Sequence, residues 1–181
     1  MEALDLEKLR FPIGAFVAPT AYNPRAIAEQ IKMIGSFANR LKKEVESLTD
    51  SQLDTPYRPG GWTVRQVVHH CADSHMNCLI RIKLTLTENL PTIKPYNEGL
   101  WSELEENRTM GIAPSLLLLE GLHFRLQWML TNLSASDFER RYRHPQYGKE
   151  FPLYEVTALY AWHGDHHLAH ITELKKRSDW T

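Results

Sequence analysis

Four histidines fall within eight residues of one stretch, Trp162-His163-Gly164-Asp165-His166-His167-Leu168-Ala169-His170. Imidazole is the commonest side-chain ligand of metal ions, so this density points to metal binding, with hydrogen-bonded core histidines as the alternative. Spacing narrows the choice. At about 100° per residue of helix, with His163 at zero, Val156 and Leu174 lie near +20° and Tyr160 and Ile171 near +60° to +80°, which centres the apolar face near +30°. His163 and His167, at zero and about +40°, sit in the middle of that face, whereas His166 and His170, near −60° and −20°, lie to one side. Two rings one turn apart can converge on one ion. Buried without an ion, the pair would repel when charged and lose hydration, whereas a cation uses both rings in their neutral form.

A third nitrogen must come from elsewhere, and the segment from Val64 to Glu88 offers His69, His70 and His75. With His70 at zero on the same wheel, Val64, Val67, Cys71, Cys78 and Ile82 centre near +100°, while Gln66, Asp73, Ser74 and Asn77 cluster within about 60° of His70. His70 thus stands where the core face meets a polar stripe. His69 is expected on the solvent side, and His75 within the apolar face as a satisfied core residue or a contact to a ligand. His70, His163 and His167 make a three-nitrogen site with a position left for water, the arrangement of catalytic rather than structural zinc. Asp73 is the candidate general base, with the role of orienting His70 as its alternative. Asp165, about 160° from the inward face, is expected to be exposed.

Four helices must carry these residues. Asn23-Pro24 reads as an N-cap followed by proline at the first helical position, and Ile27, Ile31, Ile34, Phe37, Ala38, Leu41 and Val45 continue at helical spacing to about Leu48. Gln52 to Gly61, with two prolines and two glycines, is a connector. Thr63 and Gln66 have capping-box spacing and Trp62 and Val67 that of a hydrophobic staple, which starts the second helix and carries it to about Glu88. Leu90 to Ala113 is a long loop with one or two helical turns near Leu100 to Asn107. Pro114 opens a third helix that is apolar nearly all round, more than one bundle interior requires; the excess faces either another subunit, which predicts a homodimer, or the long crossover loop. Glu139 to Phe151 reads as a small hairpin, with Arg140, Arg141 and Arg143 on a solvated face. The fourth helix runs from Leu153 to about Arg177, and residues 1–22 form an extended arm.

The 181 residues fit one domain, and a net charge of −1 with 24% charged residues leaves no bulk field for nucleic acid or a membrane surface. A small-molecule substrate is the expected partner. The start, Met1 to Lys8, lacks the basic and apolar pattern of a leader, so a cytoplasmic protein is expected. Cys71 and Cys78, seven apart on one helix and so about 10 Å apart along its axis, are too distant for a disulfide and read as reduced packing residues.

The stretch Gly61-Trp62-Thr63-Val64-Arg65-Gln66-Val67-Val68-His69-His70, with Tyr160-Ala161-Trp162-His163 and His166-His167-Leu168-Ala169-His170-Ile171 far downstream, resembles the DinB superfamily of four-helix bundles. The arm residues Leu9-Arg10-Phe11-Pro12-Ile13-Gly14 place the resemblance in its YfiT-like branch of metal-dependent hydrolases, over essentially the whole chain. It implies an all-α, up-up-down-down bundle, one zinc or nickel ion per subunit, a cytoplasmic homodimer, and ligands at His70, His163 and His167. Gln66 departs from the wider superfamily, where an acid is common. The superfamily also contains enzymes that activate a low-molecular-weight thiol, so a thiol S-transferase is the alternative, with Arg81 or the Arg140 to Arg143 group for the thiol's anionic parts. A bundle merely stabilised by its ion is the third reading.

Overall fold

A computed structural model of the chain describes residues 5–180; the arm's first four residues and Thr181 lie outside the described part. The arm is not extended throughout. Asp5 accepts from the backbone N–H groups of Glu7 and Lys8 and so caps a short helix, α1 (Leu6–Arg10). The chain then lies across the last helix, where Trp162 Nε1 donates to the Gly14 carbonyl at 3.3 Å.

Helix α2 (Pro24–Val45) starts as its Asn23-Pro24 signal requires and buries the whole predicted stripe from Ile27 to Val45. Its connector holds one turn, α3 (Asp50–Leu53), before α4 (Val64–Thr87). The capping box is present in full, with Thr63 taking the Gln66 N–H and the Gln66 side chain accepting from the Thr63 N–H. Arg65, 3% exposed, ties this end to the connector through Asp54 at 2.7 Å and Asp50 at 2.9 Å.

The crossover that follows carries α5 (Glu98–Ser102) and α6 (Glu105–Thr109) and leads into α7 (Ala113–Thr131). One more turn, α8 (Ala135–Phe138), precedes the antiparallel hairpin of β1 (Arg141–His144) and β2 (Lys149–Pro152), with Arg141 opposite Pro152 and His144 opposite Lys149. Helix α9 (Leu153–Arg177) closes the chain. No described helix is long and apolar enough to cross a membrane.

Four long helices pack as a ring in the order α2, α7, α4, α9. Their directions depart from the expected up-up-down-down order. Arg40 meets Asp165 and Glu44 meets Lys175, so α2 and α9 run parallel. His69 meets Ser115 and His75 meets His123, so α4 and α7 run parallel as well. Tyr160 bonds Ser74 and His163 meets His70, which sets α9 against α4. In chain order the bundle is up, down, down, up. The 24 residues of α4 span about 36 Å, and the crossover between α4 and α7 returns the chain over that length to begin a parallel neighbour.

The core is divided. One apolar cluster contains Ile27, Ile31 and Ile34 of α2, Cys78 and Ile82 of α4, Leu122 and Leu126 of α7, and Val156 and Tyr160 of α9. The other contains Phe37 and Leu41, Val67 and Cys71, Leu119, and Ile171 and Leu174 from the same four helices. Every long helix changes cluster at one level. His70 and His75, His123, and His163 to His170 occupy that level. Gly164 lets α2 come close there, because a Cβ on it would stand 2.9 Å from the Phe37 ring.

Candidate metal centre

Helices α4 and α9 bring His70, His163 and His167 together, with one ligand-capable nitrogen from each lying within 4.8 Å of the others. His163 Nε2 and His70 Nε2 are 3.2 Å apart. Two nitrogens bound to a tetrahedral zinc at 2.0–2.1 Å stand about 3.3 Å from each other, so this pair already has the separation that an ion between them requires. His167 keeps a buried Nδ1 without a hydrogen-bond partner. Burial is the first cause that holds all three rings neutral: it lowers His70 to about 4 and takes His163 and His167 well below the usual histidine range, with neighbouring imidazoles adding to the effect. Neutral imidazole is the form that ligates. The residues present therefore fit a divalent ion.

The three rings form part of the wall of a cleft of about 850 Å³. Trp62 roofs it, its ring 4.6 Å from that of His70 and 6.2 Å from that of His167, beyond the staple role its sequence position suggests. His166 and His170 also line it, both lowered to about 4 chiefly by burial. His166 stacks on Trp162 at 4.4 Å, and His170 donates from Nε2 to the Arg10 carbonyl at 3.0 Å, which pins the arm over the site.

The cleft carries more cations than acids: Arg10, Arg58, Arg81 and Lys149 against Glu98 and Glu155. Glu155 is already taken by Lys149 at 2.5 Å. Among the described residues Arg81 makes no ion pair, and its Nε is buried without a partner.

Several expected placements change. His69 does not face solvent: it is 2% exposed, donating from Nε2 to the Met110 carbonyl at 3.2 Å and accepting from the Ser115 hydroxyl at 2.7 Å. The crossover covers the back of α4, which a wheel drawn for one helix cannot register. Asp73 is not brought to the cleft wall; its carboxylate takes the Asn107 amide at 3.4 Å and burial raises its pKa, so it holds the crossover. Asp165 is partly buried and paired with Arg40 at 2.6 Å. Arg140, Arg141 and Arg143 are exposed as expected, and Arg140 in addition donates to the Thr85 and Glu88 carbonyls at the end of α4. Gln66 bonds the Ser102 carbonyl at 2.8 Å besides capping α4.

Sequence reasoning passed over His123, 1% exposed on α7 and bonded to His75 at 2.7 Å. The available signal was a lone histidine between Leu122 and Phe124, which burial would oblige to find partners.

Residues 36–171 match the family model of the DinB superfamily. The chain belongs to this superfamily. It is 47% identical over 173 residues to YfiT of Bacillus subtilis, named as a candidate metal-dependent hydrolase, covering 96% of this chain and 97% of that one. A similarly named protein of Geobacillus thermodenitrificans is 45% identical over 175 residues, covering 97% and 98% of the two chains. The solved structure of the B. subtilis protein, described as a probable metal-dependent hydrolase with an unusual four-helix bundle topology, superposes with a TM-score of 0.94 at 46% identity, covering 96% of this chain and 99% of that chain. The direction order found above belongs to a DinB bundle of that shape.

Proposed function

We propose that this DinB-superfamily chain is a metal-dependent hydrolase in which His70, His163 and His167 hold one zinc or nickel ion at the wall of an anion-accepting cleft. The observation that carries this reading is the convergence of three neutral imidazoles on one side only, leaving the cleft side of the site open. An ion held there supplies a Lewis acid that polarises a carbonyl or similar bond and lowers the pKa of a water it binds. The chain does the rest. Arg81 offers an unpaired guanidinium to a carboxylate or phosphate of the substrate, and the aromatic rings of Trp62, Tyr96 and Tyr160 exclude water around the reacting bond. Neither cysteine can serve as nucleophile, since Cys71 and Cys78 are buried and burial raises both thiols far above neutrality.

The test uses zinc-loaded protein and two metal-seeking probes, acetohydroxamate and the monohydroxamate of succinic acid. Both should bind, the carboxylate-bearing probe about tenfold more tightly, and Arg81→Gln should erase that difference. Failure of both probes sinks the metal site; equal binding sinks the anion subsite alone. A screen of esters and amides, with and without a small thiol, completes it. Turnover that requires the thiol would replace hydrolysis by thiol transfer.

We further propose a second copy of the chain as the partner of α7. Leu117, Phe124 and Trp128 are 70%, 73% and 66% exposed, and at spacings of seven and four residues they form one stripe. Gly121 within the stripe has open space where a Cβ would stand, so another helix can approach closely. A continuous apolar stripe along one helix suits the two-fold pairing commonest among oligomers. Light scattering should give a dimer that Trp128→Glu converts to the 21.0 kDa monomer; a monomeric parent would refute it.

A further inference from the structure

Beneath the metal-binding rings lies a row of imidazoles that the reading above does not use. His123 Nδ1 is 2.6 Å from the Ile34 carbonyl, His123 Nε2 is 2.7 Å from His75 Nδ1, and His75 Nε2 is 3.0 Å from His163 Nδ1. The row crosses all four long helices, from α2 through α7 and α4 to α9, at the level where the two apolar clusters meet.

We propose that His123 and His75 are positioning residues that set the tautomer of His163, presenting its bare Nε2 to the metal. A carbonyl oxygen can only accept, so His123 must carry its proton on Nδ1. Being neutral, it then has a bare Nε2, which obliges His75 to donate from Nδ1. His75 in turn has a bare Nε2, which obliges His163 to donate from Nδ1. The last free lone pair is that of His163 Nε2, pointing at His70 Nε2 at 3.2 Å. Neutrality follows from the surroundings: His75 is fully buried, His123 is 1% exposed, and the Phe37 ring packs on both at 5.3 and 5.1 Å. Burial also takes His123, where the row begins, down to about 4. The inference rests on the metal reading for what lies at its end, and on hydrogen-bond geometry alone for its direction.

A core pair kept only for stability has no need of direction, because either tautomer pairing would satisfy it. Here a backbone carbonyl, which cannot change its role, forces one order and leaves the opposite end unsatisfied unless a proton on His70 or a cation faces it. Ligating histidines commonly give their other N–H to a carboxylate or carbonyl, which fixes the ring and strengthens the donor nitrogen. In this chain an imidazole backed by a second imidazole and a carbonyl takes that place, and it adds no charge to the site. Without His123, His75 loses the acceptor for its Nδ1–H and can hold its proton on Nε2. That proton would oppose the one on His163 Nδ1 and drive His163 into the form that cannot ligate.

Zinc affinity and imidazole nitrogen spectra of the full chain test this. In the unsubstituted protein with zinc, nitrogen-15 spectra should show His123, His75 and His163 protonated on Nδ1. His123→Leu, an apolar replacement in an apolar setting, should weaken zinc binding by about 10- to 100-fold while the metal-free melting temperature is kept. His123→Gln, which retains one donor and one acceptor, should restore most of the affinity. A proton on Nε2 of His75, or zinc bound as tightly by His123→Leu as by the parent, overturns the proposal even with the metal site intact. A parent that binds no zinc overturns the metal reading, and the Nδ1 pattern in the metal-free protein then decides the direction of the row by itself.

Discussion

His75 and His123 have both ring nitrogens bonded within the chain, whereas His166, His167 and His170, on the other side of His163, each keep a buried Nδ1 without a partner. The first pair sits between packed helices at exposures of 0% and 1%; the second set lines the cleft under the arm. An unbonded buried imidazole nitrogen costs desolvation with no return, on the order of 1–3 kcal/mol. The chain completes the first pair within its core and leaves the second set, of which only His167 is a proposed ligand, facing the cleft and the arm.

The largest expected effect is on metal content. His70→Ala, His163→Ala and His167→Ala should each strip most of the bound ion, because a three-nitrogen site reduced to two loses its tetrahedral set. His166→Ala should retain it. His69→Ala should retain it too, yet lose about 1–3 kcal/mol of stability, since it leaves the buried Ser115 hydroxyl without its partner and the Met110 carbonyl with Arg65 alone. Elemental analysis of the five variants separates the sets. Retention of metal by His163→Ala, with loss by His166→Ala, would make His166 and His170 the ligand pair and erase the contrast.

Acid should act next. An exposed imidazole titrates near 6.5, while His70, His123, His166 and His170 are lowered to about 4 and His75, His163 and His167 well below the ordinary range, all chiefly by burial. Below pH 6.5 the unfolded chain therefore binds more protons than the folded one, so stability is complete above that pH and falls as pH drops toward 4. Each such histidine contributes a slope of about 1.4 kcal/mol per pH unit within its own window. Urea midpoints of metal-free protein between pH 8 and 4.5 should decline steeply at the acid end. A flat profile would mean that the rings are hydrated, and that neither set is dry.

What the sequence disclosed follows the same division. Local signals sufficed for the helices, the Thr63–Gln66 capping box and the hairpin, because each depends on residues a few positions apart. They also sufficed to bring His70 to His163 and His167, since two apolar faces leave little choice of orientation. They failed wherever a distant segment decides the environment. His69 looked exposed until the crossover covered it, and His123 looked like any residue of a leucine-rich helix until the Ile34 carbonyl gave it a direction. The order of helix directions lay beyond a resemblance in motifs, because it depends on the paths of three long connections, which no local spacing records.

The smallest effect should come from His170, which separates the two groups most finely. Its Nδ1 is unpartnered like those of the cleft set, yet its Nε2 is bonded to the Arg10 carbonyl and its ring stacks on Tyr57 at 3.9 Å. It thus belongs to the arm rather than to the ion. His170→Ala should keep the metal and cost about 1 kcal/mol, the net value of one hydrogen bond. The loss should be felt locally, as faster proteolysis and amide exchange between Leu9 and Gly14, because the Trp162 bond to Gly14 and the ring contacts of Phe11 with His166 and Phe16 with Trp162 would then hold that end of the arm down. If His170→Ala instead released the ion while the arm stayed protected, the ring would be reaching the metal, and the cleft set would have to be redrawn with four histidines around one site.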